Sequence, residues 1–194
     1  CNGMPRSGST FVFNVAHEVL FTFREPPEAK TLSGVTVRQT KARLAQPGIA
    51  LAKAHDGAKL VKGVDDPRLR MLYSWRDIRD VAASVYDFEG LTGKALADFL
   101  GQALEEQAAM ASVRTHTSVC IIPYHTIYAN PSGAVARIAA HLGVSLRPVR
   151  ADMIARAWSV SRVKEIADGV AKEMAEKGGA KPKKREPWVA GQTQ

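Results

Sequence analysis

The chain begins CNGMPRSGST, and the residue types and spacing there are those of a loop that holds an anion. Gly3 and Gly8 bracket four residues, and Ser9 and Thr10 place two hydroxyls directly after the second glycine. Loops of this kind cradle phosphate with backbone N–H groups. In nucleotide-hydrolysing proteins a lysine before the final hydroxyl reaches the β- and γ-phosphates, and the hydroxyl holds magnesium. Here Ser9 occupies the lysine position, and an arginine, Arg6, lies inside the loop. A kinase or hydrolase of Walker type therefore fits poorly. A turn without a ligand stays open, and so does a phosphate-like group other than the end of a triphosphate.

Two distant segments could supply further charge. Arg76 closes the apolar run RLRMLYSWR, and Ser84 follows eight residues later in DIRDVAASVYDF, on the second turn of an expected helix. An arginine at a strand end and a hydroxyl on the next helix can converge on one anion, and the planar guanidinium suits phosphate oxygens. A surface ion pair of Arg76 with Asp77 or Asp80 is the alternative. The second segment is Lys53-Ala54-His55, at the tip of IALAKAHD. Alternation along an extended chain puts Lys53 and His55 on one side. Histidine titrates near neutrality and suits a general base; a histidine exposed in a turn, or a base role for Asp56, remains open.

The elements that must position these groups are readable from periodicity. STFVFNVAHEVLFTF has helical spacing, with Ser9 or Thr10 able to cap its start, so the loop leads straight into a helix N-terminus that favours anions. Residues 24–48, polar and broken by proline, are expected to be loops with a short helix. IALAKAHD and RLRMLYSWR are expected strands. DIRDVAASVYDF is a helix with Ile78, Val81, Ala82 and Val85 on one face, and GKALADFLGQALEEQAAMASVR is a longer one. SVCIIPY is a buried strand. NPSGAVARIAAHLGV is a helix with proline near its start and glycine at its end, and VRADMIARAWSVSRVKEIADGVAKEMAEK continues helical. Strands alternating with helices predict an α/β fold with a mainly parallel sheet, whose ligands sit at the carboxyl ends of the strands. Only CNGM precedes the loop, so part of a first strand is expected upstream of residue 1.

Composition narrows the class. At 194 residues, 45% hydrophobic and 24% charged, the sequence describes one globular domain over residues 1–175, followed by a basic, mobile tail over 176–194. No apolar run approaches the roughly 20 residues that cross a bilayer. Two cysteines, Cys1 and Cys120, are too few for a disulfide framework or a metal cluster, and the expected compartment is the reducing cytoplasm. The net charge of +8 points to an anionic partner, yet no aromatic-interleaved basic stripe marks a nucleic-acid binder.

Taken together, PRSGST and YSWRDIRDVAASVYDF resemble the sulfotransferases that use 3′-phosphoadenosine 5′-phosphosulfate (PAPS). That family carries a P-K/R-S-G-S/T-T loop and a later R-x-x-x-D-V-x-x-S-x-Y segment, matched here by Arg76, Asp80, Val81, Ser84 and Tyr86. Lys53-Ala54-His55 resembles the family's K-T-H. The resemblance implies a three-layer αβα fold of the P-loop nucleotide-binding type, and transfer of a sulfuryl group from PAPS to a hydroxyl or amine. The acceptor would be a small molecule or a carbohydrate, with 3′,5′-adenosine bisphosphate as product and no metal.

It further implies roles for single residues. Gly8, Ser9 and Thr10 would cradle the 5′-phosphate through their N–H groups, and Arg76 and Ser84 would hold the 3′-phosphate. Arg6 would neutralise charge on the breaking bridge, with Ser7 assisting or restraining it. Lys53 would meet a sulfonate oxygen, and His55 would be the catalytic base. IPYHTIYANPSGAVARIAAHLGV is similar to the family's Y-E-D-L…P segment and brings Tyr124 near the adenine, although His125 and Thr126 replace the acidic pair. AWSVSRVKEI would bring Trp158 and Ser159 to the nucleotide. The family's R-K-G loop has no clear counterpart. A non-catalytic nucleotide- or polyanion-binding protein on the same fold is the rival reading.

Overall fold

The computed structural model describes residues 1–4, 6–23, 29–33, 36–54, 57–159, 161–162 and 165. Its elements run β1 (Asn2–Gly3), α1 (Ser9–Phe23), β2 (Ala29–Ser33), α2 (Val37–Leu44), β3 (Ile49–Lys53), α3 (Gly57–Gly63) and β4 (Met71–Trp75). They continue with α4 (Ile78–Glu89), α5 (Gly93–Ala111), β5 (Val119–Pro123), α6 (Tyr124–Ala129), α7 (Pro131–His141) and α8 (Pro148–Ala157). Every strand pairing among them is parallel, in two ladders, β1-β4-β5 and β2-β3. Cys1 joins the two: its nitrogen donates to the Ala52 carbonyl, and its carbonyl accepts from Ala54 N at 2.8 Å. The strands thus lie in the order β2-β3-β1-β4-β5, and the parallel pairing is what the alternation of elements predicts.

β4 is buried along almost its whole length, and its side chains alternate between two cores. Leu72 joins Phe11, Val12, Val15 and Val19 of α1 with Val135 and Ile138 of α7 and Ile154 of α8. Met71 and Tyr73 point the other way, to Leu60 of α3, Val81 and Val85 of α4 and Met110 of α5. β5 repeats the alternation, with Cys120 and Ile122 on the first face and Val119 and Ile121 on the second. Helices cover both faces of a parallel sheet, which is the three-layer αβα arrangement. Val81 and Val85 are fully buried, and each contributes about 1.5–3 kcal/mol to holding α4 against the sheet.

Residues 29–33 correct the expectation of loops: Ala29 through Ser33 pair in register with Ile49 through Lys53. An edge strand tolerates a polar, non-alternating sequence such as AKTLS, which is why periodicity overlooks it. The last expected helix is interrupted: Ser161, Arg162 and Glu165 are helical again, and the rest of the expected continuation lies outside the described residues. α8 ends at Ala157, and Trp158 caps it with its N–H on the Arg156 and Ile154 carbonyls. The basic tail over 176–194 lies outside the described residues. No helix among the described residues is long and apolar enough to cross a membrane.

Candidate active site

From β1 the chain leaves through α1, on one face, to β2 at one side. From β4 it leaves through α4 and α5, on the other face, to β5 at the opposite side. Between β1 and β4 the connections therefore diverge and open a crevice at the carboxyl ends of the strands, the usual ligand position in such sheets. The glycine loop and Arg76 both fall there.

The loop is tied down by short-range bonds. Met4 N donates to the Ser74 carbonyl at 3.2 Å, and Ser7 N donates back to the Met4 carbonyl at 3.3 Å. This reversal puts Arg6 at φ 58°, a left-handed conformation that non-glycine residues rarely hold, and Gly8 at φ 85°. A Cβ on Gly8 would also come within 2.9 Å of Ile127 Cδ1 and 3.2 Å of a Tyr124 ring carbon. The first helical bond beyond the turn runs from Val12 N to the Gly8 carbonyl at 3.1 Å. The N–H groups of Gly8, Ser9 and Thr10 thus precede the first helical donor, Val12 N, at the positive end of the α1 dipole.

Two arginines from segments far apart in sequence meet at this loop. Arg6 Nε donates to Ser84 Oγ at 3.2 Å, and its guanidinium carbon lies 4.1 Å from the centroid of the Phe88 ring. Ser84 and Phe88 are four residues apart on α4 and so share one face. Arg76 Nη1 donates to the Arg6 carbonyl at 3.1 Å, while its guanidinium stacks on Tyr124 at 4.1 Å. The Arg76 Nε is buried with no hydrogen-bond partner. Two guanidinium groups and a helix N-terminus on one crevice make a strongly anion-attracting site.

The alternative of an Arg76 ion pair with Asp77 does not occur. Asp77 instead caps α4 through Arg79 N and takes both side-chain bonds of Arg79. Those bonds, the side-chain ones foremost, hold its carboxyl well below the usual range, at about 2. Both residues stand apart from the site.

The structure brings Arg6, Ser7, Gly8, Ser9, Thr10, Arg76, Ser84 and Tyr124 to one place. Lys53 ends β3 at the same edge of the sheet, half-buried. His55 and Asp56 lie outside the described residues, as does Pro5 of the loop motif. Trp158 packs against the α1/α7/α8 core with its Nε1 buried and unpartnered, and Ser159 bonds Ser161 Oγ and Arg162 N. Among the described contacts neither reaches the loop. Sequence reasoning missed Phe88 and Ser74. Phe88 sits one helical turn past Ser84, a spacing that could have singled it out; Ser74, in the middle of a buried strand, gives no such signal.

The model of the Sulfotransferase domain family matches residues 2–185. The chain belongs to that sulfotransferase domain family. Solved structures agree on the fold. A mouse sulfotransferase complexed with PAP is 18% identical with a TM-score of 0.60, covering 84% of this chain and 64% of its own. Retinol dehydratase in complex with androsterone and inactive cofactor PAP is 15% identical, with a TM-score of 0.58 and the same coverages. Its complex with retinol and PAP gives 16% identity and a TM-score of 0.58. The chain thus spans 64% of the length of each of these relatives. A comparison with curated protein sequences finds no match.

Proposed function

We propose that the chain is a sulfotransferase that moves a sulfuryl group from PAPS to the hydroxyl, or amine, of a small-molecule or carbohydrate acceptor. The observation that carries this reading is the meeting at Arg6 of Ser84, 78 residues away, and Arg76, 70 residues away. The two signature segments of the family thereby become one anion site. The fit to a bisphosphorylated nucleotide is supported by the buried, unpartnered Nε of Arg76, a donor that a phosphate oxygen would satisfy. The PAP and alcohol ligands of the structural relatives are in keeping with it.

PAPS, when bound, supplies the sulfuryl group. The N–H groups of Gly8, Ser9 and Thr10 would bind its 5′-phosphate, as a helix start does. Arg76 and Ser84 would bind the 3′-phosphate, with Tyr124, Trp158 and Ser159 around the base. Arg6 would neutralise charge on the leaving oxygen and Lys53 on a sulfonate oxygen, preorganised electrostatics of the kind that commonly dominates catalysis. An imidazole nitrogen of His55, or the Asp56 carboxylate, would take the acceptor's proton. The family resemblance favours a carbohydrate acceptor, because arginine at the position of Arg6 is common in the carbohydrate-acting branch.

Calorimetric titration with 3′,5′-adenosine bisphosphate beside 5′-AMP and ATP tests the reading. The bisphosphate should bind best. Arg76→Ala should weaken it by roughly 10- to 100-fold, the loss of hydrogen bonds to a charged group, while 5′-AMP, which feels only the lost bond to the Arg6 carbonyl, weakens less. Equal weakening of both nucleotides, or no preference in the unaltered chain, would sink it.

A further inference from the structure

Beneath the loop lies a hydroxyl pair, and one of its members, Ser74, stands outside the family signature. Ser7 and Ser74 are both fully buried. The Ser7 hydroxyl lies 2.6 Å from the Met4 carbonyl, 3.0 Å from the Ser74 carbonyl and 2.7 Å from Ser74 Oγ. Ser7 has one proton to give, and the Met4 carbonyl is its nearest acceptor. The contact between the two hydroxyls is then satisfied when Ser74 O–H donates to Ser7 Oγ. Gly3 makes the room, since a Cβ there would overlap the Ser74 hydroxyl and stand 2.9 Å from Ser9 Cβ. Ser74 also accepts Met4 N on its carbonyl. One residue of β4 thus grips both ends of the turn that holds Arg6.

We propose that Ser74 is a positioning residue of the phosphate loop: its hydroxyl, donated to Ser7, holds the turn in the shape that presents the Gly8–Thr10 N–H groups to a 5′-phosphate. The proposal rests on the functional reading above, but only on its claim that this loop takes the 5′-phosphate. Removing the donor leaves a buried hydroxyl oxygen unsatisfied and frees the turn, so the effect belongs to ligands that use the loop.

The test compares Ser74→Ala and Ser74→Thr with the unaltered protein, titrating 3′,5′-adenosine bisphosphate, 5′-AMP and 3′-AMP. Ser74→Ala should weaken the bisphosphate and 5′-AMP alike, by roughly three- to tenfold for one buried hydrogen bond. It should leave 3′-AMP, which lacks the 5′-phosphate, unchanged, and Ser74→Thr should restore most of the loss. A purely structural role would lower the melting temperature and move all three ligands together, and that result overturns the proposal. Unchanged affinities in Ser74→Ala overturn it as well. If Ser74→Ala proves too unstable to titrate, Ser74→Cys, which keeps the side chain's shape but donates more weakly, should give the same pattern in smaller degree, and unchanged affinities there overturn the proposal. Absence of bisphosphate preference in the unaltered protein would refute the sulfotransferase reading, while the contrast between 5′-AMP and 3′-AMP still judges Ser74. Failure of the unaltered protein to bind either 5′-phosphate overturns both.

Discussion

Arg6 combines features that rarely occur in one residue. Its backbone is left-handed, at a cost on the order of 1 kcal/mol, and its guanidinium is pinned between a hydroxyl and an aromatic face. Phe88 is 67% exposed, an unusual setting for a large apolar ring, and its contact with Arg6 accounts for the placement. An exposed cation–π pair contributes about 0.5–1 kcal/mol. Phe88→Leu should therefore lower sulfate-transfer turnover by about two- to fivefold, with Phe88→Trp restoring it; unchanged turnover would make the ring a bystander. Much of this site was legible in the sequence, because Arg6, Arg76 and Ser84 are chemically distinctive and their spacing is informative. Phe88 was legible only through its spacing from Ser84, and Ser74 not at all. An aromatic on a helix reads as core, and a serine inside an apolar strand reads as filler. Only the packing of β4 against the loop gives Ser74 its partner.

At the scale of elements, α4 carries the burden of delivery, since it presents Ser84 and Phe88 together. It begins at the Asp77 cap and ends at Gly90, at φ 66°, whose N–H returns to the Tyr86 carbonyl at 3.0 Å. A Cβ on Gly90 would meet nothing within 4 Å, so its conformation alone demands glycine. Gly90→Ala should destabilise the fold by about 1 kcal/mol, read as a lower urea midpoint at unchanged slope. Gly90→Asn should cost less, and equal stability of Ala and Gly here would refute the argument. The start and stop of α7 were readable from Pro131 and Gly143, and α4 from the period of Ile78, Val81, Ala82 and Val85. The short α2 is the helix expected among the loops of residues 24–48, and Thr36 and Gln39, which form a capping box, mark its start. β2 was illegible, because its pairing with β3 comes from its place at the sheet edge and not from its own residues.

For the whole molecule, the amino-terminal end of the sheet holds a pH-sensitive contact remote from the loop. His141 is half-buried, with Nε2 3.0 Å from the Ser118 carbonyl that also accepts Met71 N. Burial, ahead of every other influence, pushes its pKa down, and Arg70 and Arg137 push the same way. His17 is lowered too, again mainly by burial. The unfolded chain then binds more protons than the folded one once pH falls to about 6.5, so stability declines on acidification through that value. Melting temperatures between pH 8 and 5.5 should fall less steeply in His141→Gln, and parallel curves would clear His141 of the effect.

At the other end of the sheet, Arg6 gives its carbonyl to Arg76 and its side chain to Ser84. Under the proposed function the two phosphate subsites would share Arg6, so a group bound at one would bear on the other. By thermodynamic reciprocity, whatever factor a 3′-phosphate imposes on binding at the loop, a group at the loop imposes on the 3′-phosphate. Spent and charged donor nucleotides, alike at one end and different at the other, would then be told apart at both.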